Sequence, residues 1–304
     1  MSIEWFPGHM VTARKNAMEA MRRTDVVIEV LDARVPHSSC NPDFEALRRE
    51  NQRPALKILN KADLADPERT RRWLLHLNAR PGVGAIALSA KSRSEVSRLP
   101  SACLALAPGR TTPGQPLRMM ILGIPNVGKS TLMNSILNRR VAKVGGEPAI
   151  TKMHMRHEIG PGMWLVDTPG MLWPGVAQDV ALKLAAVHSI GRNAYDDDSV
   201  AVALAHYLLE DYPDQITARF GALPAGADGD SLLAAIAQRR SLVVRGGGPD
   251  VRKAASILLN EFRSGAVGRI TLETVEQVAA RPVAPERARS AARGPAQRST
   301  SRRR

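Results

Sequence analysis

The 304 residues, 44% of them apolar, suffice to bury a core and to form one larger and one smaller domain. Two cysteines, Cys40 and Cys103, are too few for a disulfide framework or a cysteine zinc cluster, and no apolar run reaches the ~18–20 residues of a membrane span, so a soluble, cytoplasmic, monomeric protein is expected. A formal charge of +14 asks for a polyanionic partner, nucleic acid or an anionic membrane surface, and half of it lies outside the stretch 281–304 with its eight Arg and one Glu.

The first predicted strand is Asp25–Leu31, an apolar run closed by Arg34-Val35-Pro36. A second, Ala55–Leu59, delivers Asn60-Lys61-Ala62-Asp63 at its carboxyl end. A helix over 67–79, a strand Val83–Leu88 leading into Ser89-Ala90-Lys91, and a helix over about 94–107 follow. Leu117–Leu122 is predicted as a strand running straight into Gly123-x-x-x-x-Gly128-Lys129-Ser130, with helical character from Ser130 to Leu137. Met153–Ile159 and Met163–Val166 suit two more strands, the second ending at Asp167-Thr168-Pro169-Gly170. Strands alternating with helices predict a three-layer α/β fold around a mostly parallel sheet, with ligands at the strand carboxyl ends.

Beyond Pro174 the strand pattern stops. Segments 176–190, 198–210, 212–220, 230–240 and 249–264 are rich in Ala and Leu at helical spacing, interrupted by the loop Arg245–Pro249. The expected organisation is an α/β domain over 1–175, a helical RNA-binding domain over 176–280 and an Arg-rich tail over 281–304. The tail has no periodic apolar residues and reads as disordered until bound.

The motifs name the ligand. A full phosphate loop between a strand and a helix surrounds the β-phosphate with backbone N–H groups, here those around Asn126, Val127, Gly128 and Thr131. Lys129 reaches the β- and γ-oxygens, and the Ser130 hydroxyl suits Mg²⁺. Asp167 suits the shell of the same ion, and the Gly170 amide is placed to sense the γ-phosphate. Asp63 can accept both the N1–H and the 2-amino group of guanine, a donor pair adenine lacks. Asn60 and Lys61 support that loop, while Ser89-Ala90-Lys91 offers a backbone N–H toward O6. GTP is the expected nucleotide. Thr151 lies between the phosphate loop and Asp167, where a switch threonine completes the Mg²⁺ shell. Asn126 is either a ligand for K⁺ beside the nucleotide phosphates or a residue that stabilises its own turn. After Gly170 comes Met171, which cannot orient water, so unassisted hydrolysis is expected to be slow.

The order of the motifs is unusual. The base-reading loops precede the phosphate loop, a rotation that moves the chain ends and leaves the site intact. With Trp5-Phe6-Pro7-Gly8-His9-Met10, the motif order, Asp167–Pro174 and Tyr212-Pro213, the chain resembles the circularly permuted GTPases of the RbgA/YlqF type over about residues 3–275. The resemblance implies GTP hydrolysis stimulated by the large ribosomal subunit during its late assembly, with the C-terminal domain on its 23S-type rRNA. It also implies that His9 replaces the missing water-orienting group. Arg245, Arg252, Lys253, Arg263 and Arg269 are the candidate RNA contacts, each equally readable as part of a solvated face. Two other readings stay open: a GTPase of another ribonucleoprotein, and an RNA-binding scaffold that binds GTP without productive turnover.

Overall fold

A computed structural model of the chain describes residues 17–110, 115–138, 156–191 and 194–280. The expectations for Trp5–Met10, His9, Thr151, the start of the strand at Met153 and the tail 281–304 lie outside these residues.

Six strands form one sheet: β1 (Val26–Asp32), β2 (Ala55–Asn60), β3 (Val83–Leu88), β4 (Leu117–Leu122), β5 (Arg156–Gly160) and β6 (Met163–Asp167). Their spatial order is β3-β2-β1-β4-β6-β5, parallel throughout except for β5, which runs antiparallel to β6 at one edge. β1 is buried at all seven positions, with Val26, Ile28 and Val30 in the main core and Val27 and Leu31 in separate clusters. A parallel strand covered on both faces has to be apolar on both. Glu29 breaks that run and faces Lys57 in register on β2. Lys57 Nζ contacts the Glu29 carboxylate and lies 3.1 Å from Glu45 on α1 (Pro42–Glu50). Burial, reinforced by Glu29, pushes the adjacent Cys40 thiol up to about 12, and burial alone does the same to Cys103. Such thiols stay protonated and unreactive, in keeping with two structural cysteines.

Beside α1, this half contains α2 (Pro67–Asn78), α3 (Arg93–Val96), α4 (Leu99–Leu106) and α5 (Lys129–Ile136). The single helix expected over about 94–107 is two. Pro100 stands in the first turn of α4, where its missing N–H costs nothing, and it would break a continuous helix at that point.

The C-terminal half is helical: α6 (Gln178–Ala186), α7 (Asp197–Asp211), α8 (Pro213–Phe220), α9 (Gly229–Arg239) and α10 (Val251–Ser264). Leu204, Leu208, Ile236, Leu258 and Phe262 are buried in it, and they are continuous with the sheet core through Leu184 and Leu172. α6 is shorter than the expected 176–190, ending where its last carbonyls accept from Arg263.

After α10 the chain turns back. Ile270 N donates to Leu64 O (3.0 Å) and Leu272 N to Arg34 O (2.7 Å), so this segment lies across the loops that follow β1 and β2. Trp73 on α2 donates to Glu273 O at 3.0 Å. The buried Glu273 carboxylate accepts from His37 N (2.8 Å), Ser38 N (3.1 Å) and the Ser38 hydroxyl. Lys183 of α6 pairs with it at 3.5 Å. A short helix absent from the sequence expectation, α11 (Val275–Ala279), opens with a capping box from Thr274 and Gln277 and packs on α2.

Candidate guanine nucleotide site

The carboxyl ends of β1, β2, β3 and β4 bring the separated motifs to one edge of the sheet. Asn60 at the end of β2 joins three of them: its Nδ2 donates to Val127 O of the phosphate loop (2.7 Å), and its Oδ1 accepts from Ala90 N (2.8 Å). Lys61, at φ 60°, extends Nζ to Asn126 O and to Asp32, both at 2.8 Å. The fit is close. A Cβ on Gly128, which sits at φ 102°, would lie 2.2 Å from Asn60 Nδ2, so only glycine lets the two loops meet.

Behind the loop, Lys129 opens α5 and is buried, with Nζ donating to Gly123 O (2.9 Å) and Ile124 O (3.0 Å). Burial lowers its pKa to about 8, partly countered by Asp167. Asp167 stands at the end of β6, in register with Ile121 of β4, and Thr168 donates to Ile121 O at 2.7 Å. Gly170 comes so close that a Cβ there would meet Lys129 Nζ at 3.0 Å. Met171 is 3% exposed and packs with Val27, Phe44 and Leu122, so the position after Gly170 belongs to the core. Its carbonyl accepts from Asn41 Nδ2 at 3.0 Å.

An open cleft of about 440 Å³ lies on the base side of the loop. Asn60, Lys61, Asp63, Ser89, Ala90 and Lys91 line it, together with Asn126, Gly128 and Thr131. Every base-reading residue expected from the sequence is therefore in one place. Ser130 in the first turn of α5 and the Asp167 carboxylate flank Lys129 from two elements. A hydroxyl and one carboxylate beside a phosphate loop suit Mg²⁺, which takes few protein oxygens plus those of substrate phosphates, and GTPases of this class generally use that ion. Among the described residues no cluster of three His, Cys, Asp or Glu competes for it.

Two features were not expected. The loop after β1 contributes a buried ion pair: Arg34 grips Asp32 through Nε (2.9 Å) and Nη2 (2.8 Å). Although burial opposes ionisation, Arg34 and Lys61 hold the Asp32 carboxyl far below its usual range. The helical half also borders the cleft, through Val187, His188, Asn260 and Arg263, and Asn126 Nδ2 donates to His188 O at 2.8 Å. A polar Asp-x-Arg closing an apolar strand was the available signal for the first, and nothing local signalled the second.

The basic residues of the C-terminal half separate into two groups. Arg263 donates to Ala185 O and Ala186 O, both at 2.9 Å, and Arg269 donates to Ala62 O and Ala65 O at the same distance. Arg245, Arg252 and Lys253 are exposed on the turn before α10 and on its first turn.

A phosphate loop preceded in the chain by the guanine-reading loops, on a sheet with these neighbours, defines a circularly permuted GTPase. The model of the 50S ribosome-binding GTPase family matches residues 118–209. Ribosome biogenesis GTPase A of Bacillus cereus is 35% identical, covering 91% of this chain and 95% of its own. Mitochondrial ribosome-associated GTPase 1 of Bos taurus is 32% identical over 88% of each. The GNP-bound structure of YlqF from T. maritima has the same fold, with a TM-score of 0.59 at 24% identity over 86% of this chain and 98% of that one. The chain belongs to the ribosome biogenesis GTPase A family and is a GTPase. No helix among the described residues is long and apolar enough to cross a membrane.

Proposed function

We propose that this chain is a cytoplasmic switch for late assembly of the large ribosomal subunit, hydrolysing GTP when that subunit is bound. The observation that carries the reading is Met171. The loops for base and phosphates are assembled, while the position after Gly170 is an apolar core residue 3% exposed. A site that binds GTP and lacks a water-orienting side chain there depends on a group supplied elsewhere, which suits a ribosome-triggered enzyme. The ribosomal roles named for the relatives and the excess of positive charge support the same partner.

In this reading Asp63 accepts from guanine N1–H and the 2-amino group, and Asn60 holds the phosphate loop against the Ala90 amide. Lys129 leaves the carbonyls of Gly123 and Ile124 for the β- and γ-oxygens, and Gly170 N–H faces the γ-phosphate. Ser130, Asp167 and Thr151 would hold Mg²⁺, which would neutralise charge on those oxygens when bound. Asn126, with Nδ2 on His188 O, keeps Oδ1 for K⁺. His9 orients the attacking water. The α/β part over 1–175 thus carries the chemistry and the helical part over 176–280 carries rRNA contacts. Arg245, Arg252 and Lys253 are the most accessible of these contacts, because Arg263 and Arg269 hold internal carbonyls.

Steady-state GTP hydrolysis in potassium buffer, with large or small subunits added, tests the proposal. Stimulation by large subunits alone is expected, and His9→Ala should lower the stimulated rate by about 100-fold with GDP affinity unchanged. A slow rate indifferent to both subunits would favour the scaffold reading.

A further inference from the structure

The nucleotide cleft has a wall that the GTPase motifs do not describe. Arg34 lines it, and its side chain is 2% exposed. Nε and Nη2 are spent on Asp32, and the guanidinium lies over the Phe262 ring at 5.3 Å. Nη1 is buried and has no hydrogen-bond partner among the described residues. A buried guanidinium N–H without an acceptor costs free energy, so such a group calls for a ligand. The surrounding geometry says where the ligand sits. Arg34 shares Asp32 with Lys61, and Lys61 belongs to the base-reading motif. Asn260 borders the same cleft from α10, two residues before Phe262. Lys129, by contrast, lies on Gly123 O and Ile124 O and is not part of this wall.

We propose that Arg34 is a nucleotide-contacting residue, its Nη1 donating to an acceptor on the base–ribose half of GTP or GDP, with α10 of the helical half forming the facing wall. The inference rests on Asp63 reading guanine in this cleft. It makes the nucleotide a ligand of both halves of the chain, with the Arg34–Phe262 stack as the joint between them. Arginine suits the task because its fixed fork can hold Asp32 with two nitrogens and present a third elsewhere, which the single ammonium of lysine cannot do.

The experiment is calorimetric titration of the full chain with GDP and Mg²⁺, beside melting of each variant without nucleotide. Arg34→Lys keeps a cation for Asp32 and removes Nη1. Asn260→Trp, at an exposed helical position, fills the cleft from the other side. Each should raise the GDP Kd by at least about fivefold at a temperature where the variant is folded. Asn260→Trp should leave the nucleotide-free melting midpoint unchanged, while Arg34→Lys, which loses the two-nitrogen grip on buried Asp32, lowers it. If Arg34→Lys does not fold, Asn260→Trp decides alone. A smaller rise in either variant, measured where it is folded, overturns the proposal. Asp63→Asn, titrated with GDP and xanthosine diphosphate, checks the underlying assignment separately. A switch toward xanthine upholds it, and undiminished GDP binding places the failure there and not with Arg34.

Discussion

Lys129 shows how a phosphate loop stores its cation before substrate arrives. Burial holds the ammonium at about 8, where a free lysine stands at 10.5. The unfolded chain therefore binds more protons between these values, so this residue opposes folding at neutral pH, and the penalty fades as pH rises from about 8 toward 10.5. Nucleotide phosphates favour the charged form. GDP binding above pH 8 should accordingly take up protons, read as the dependence of calorimetric enthalpy on buffer ionisation heat. Release of protons, or no exchange, would contradict the burial argument. Asp32 and Arg34 belong to the same scale and were only half legible. Their polarity at a strand end was visible, but their pairing with Lys61 depends on β2 lying beside β1.

At the scale of elements, α2 rests on Asp66, the residue that caps it. Asp66 Oδ1 accepts from Glu68 N (2.8 Å) and Arg69 N (3.0 Å), while Oδ2 lies 3.1 Å from the Tyr212 hydroxyl. Asp66→Ala removes the cap and that interhelical contact together, and should lower stability by about 1–2 kcal/mol in urea at unchanged m-value. Asp66→Asn retains a capping oxygen and should lose less. The strands were legible because a doubly covered parallel strand reads as an unbroken apolar run, and each nucleotide motif followed one of them. Where the reading failed, the cause was local chemistry or distance. Pro100 divided a helix that composition alone made continuous. Arg263 and Arg269 looked like exposed charge, because sequence cannot show that α6 and the Ala62–Ala65 turn present carbonyls to them. The return of Ile270–Glu273 to the base loop pairs residues about two hundred positions apart, beyond the reach of any periodicity.

For the whole molecule, the main core runs without interruption from β1 to α10, and Glu273 ties three parts together: the loop at Ser38, α6 through Lys183 and α2 through its carbonyl. Glu273→Ala strands Lys183 and the Ser38 amide in the interior and unpairs the His37 amide. A loss of about 3–5 kcal/mol is expected, as a single cooperative urea transition followed by tryptophan fluorescence and circular dichroism together. Two separated transitions would show that the halves fold independently. The same return segment bears on how the molecule comes into being. Synthesis proceeds from the N-terminus, so the loops that discriminate guanine are made first, the loop that holds phosphate some sixty residues later, and the wall that carries Asn260 later still. The segment Ile270–Glu273 follows every described loop of the site in the chain, so it can clasp the base loop only after those loops have been made. A nascent copy has no facing wall for GTP until the helix that carries Asn260 and Arg263 has emerged.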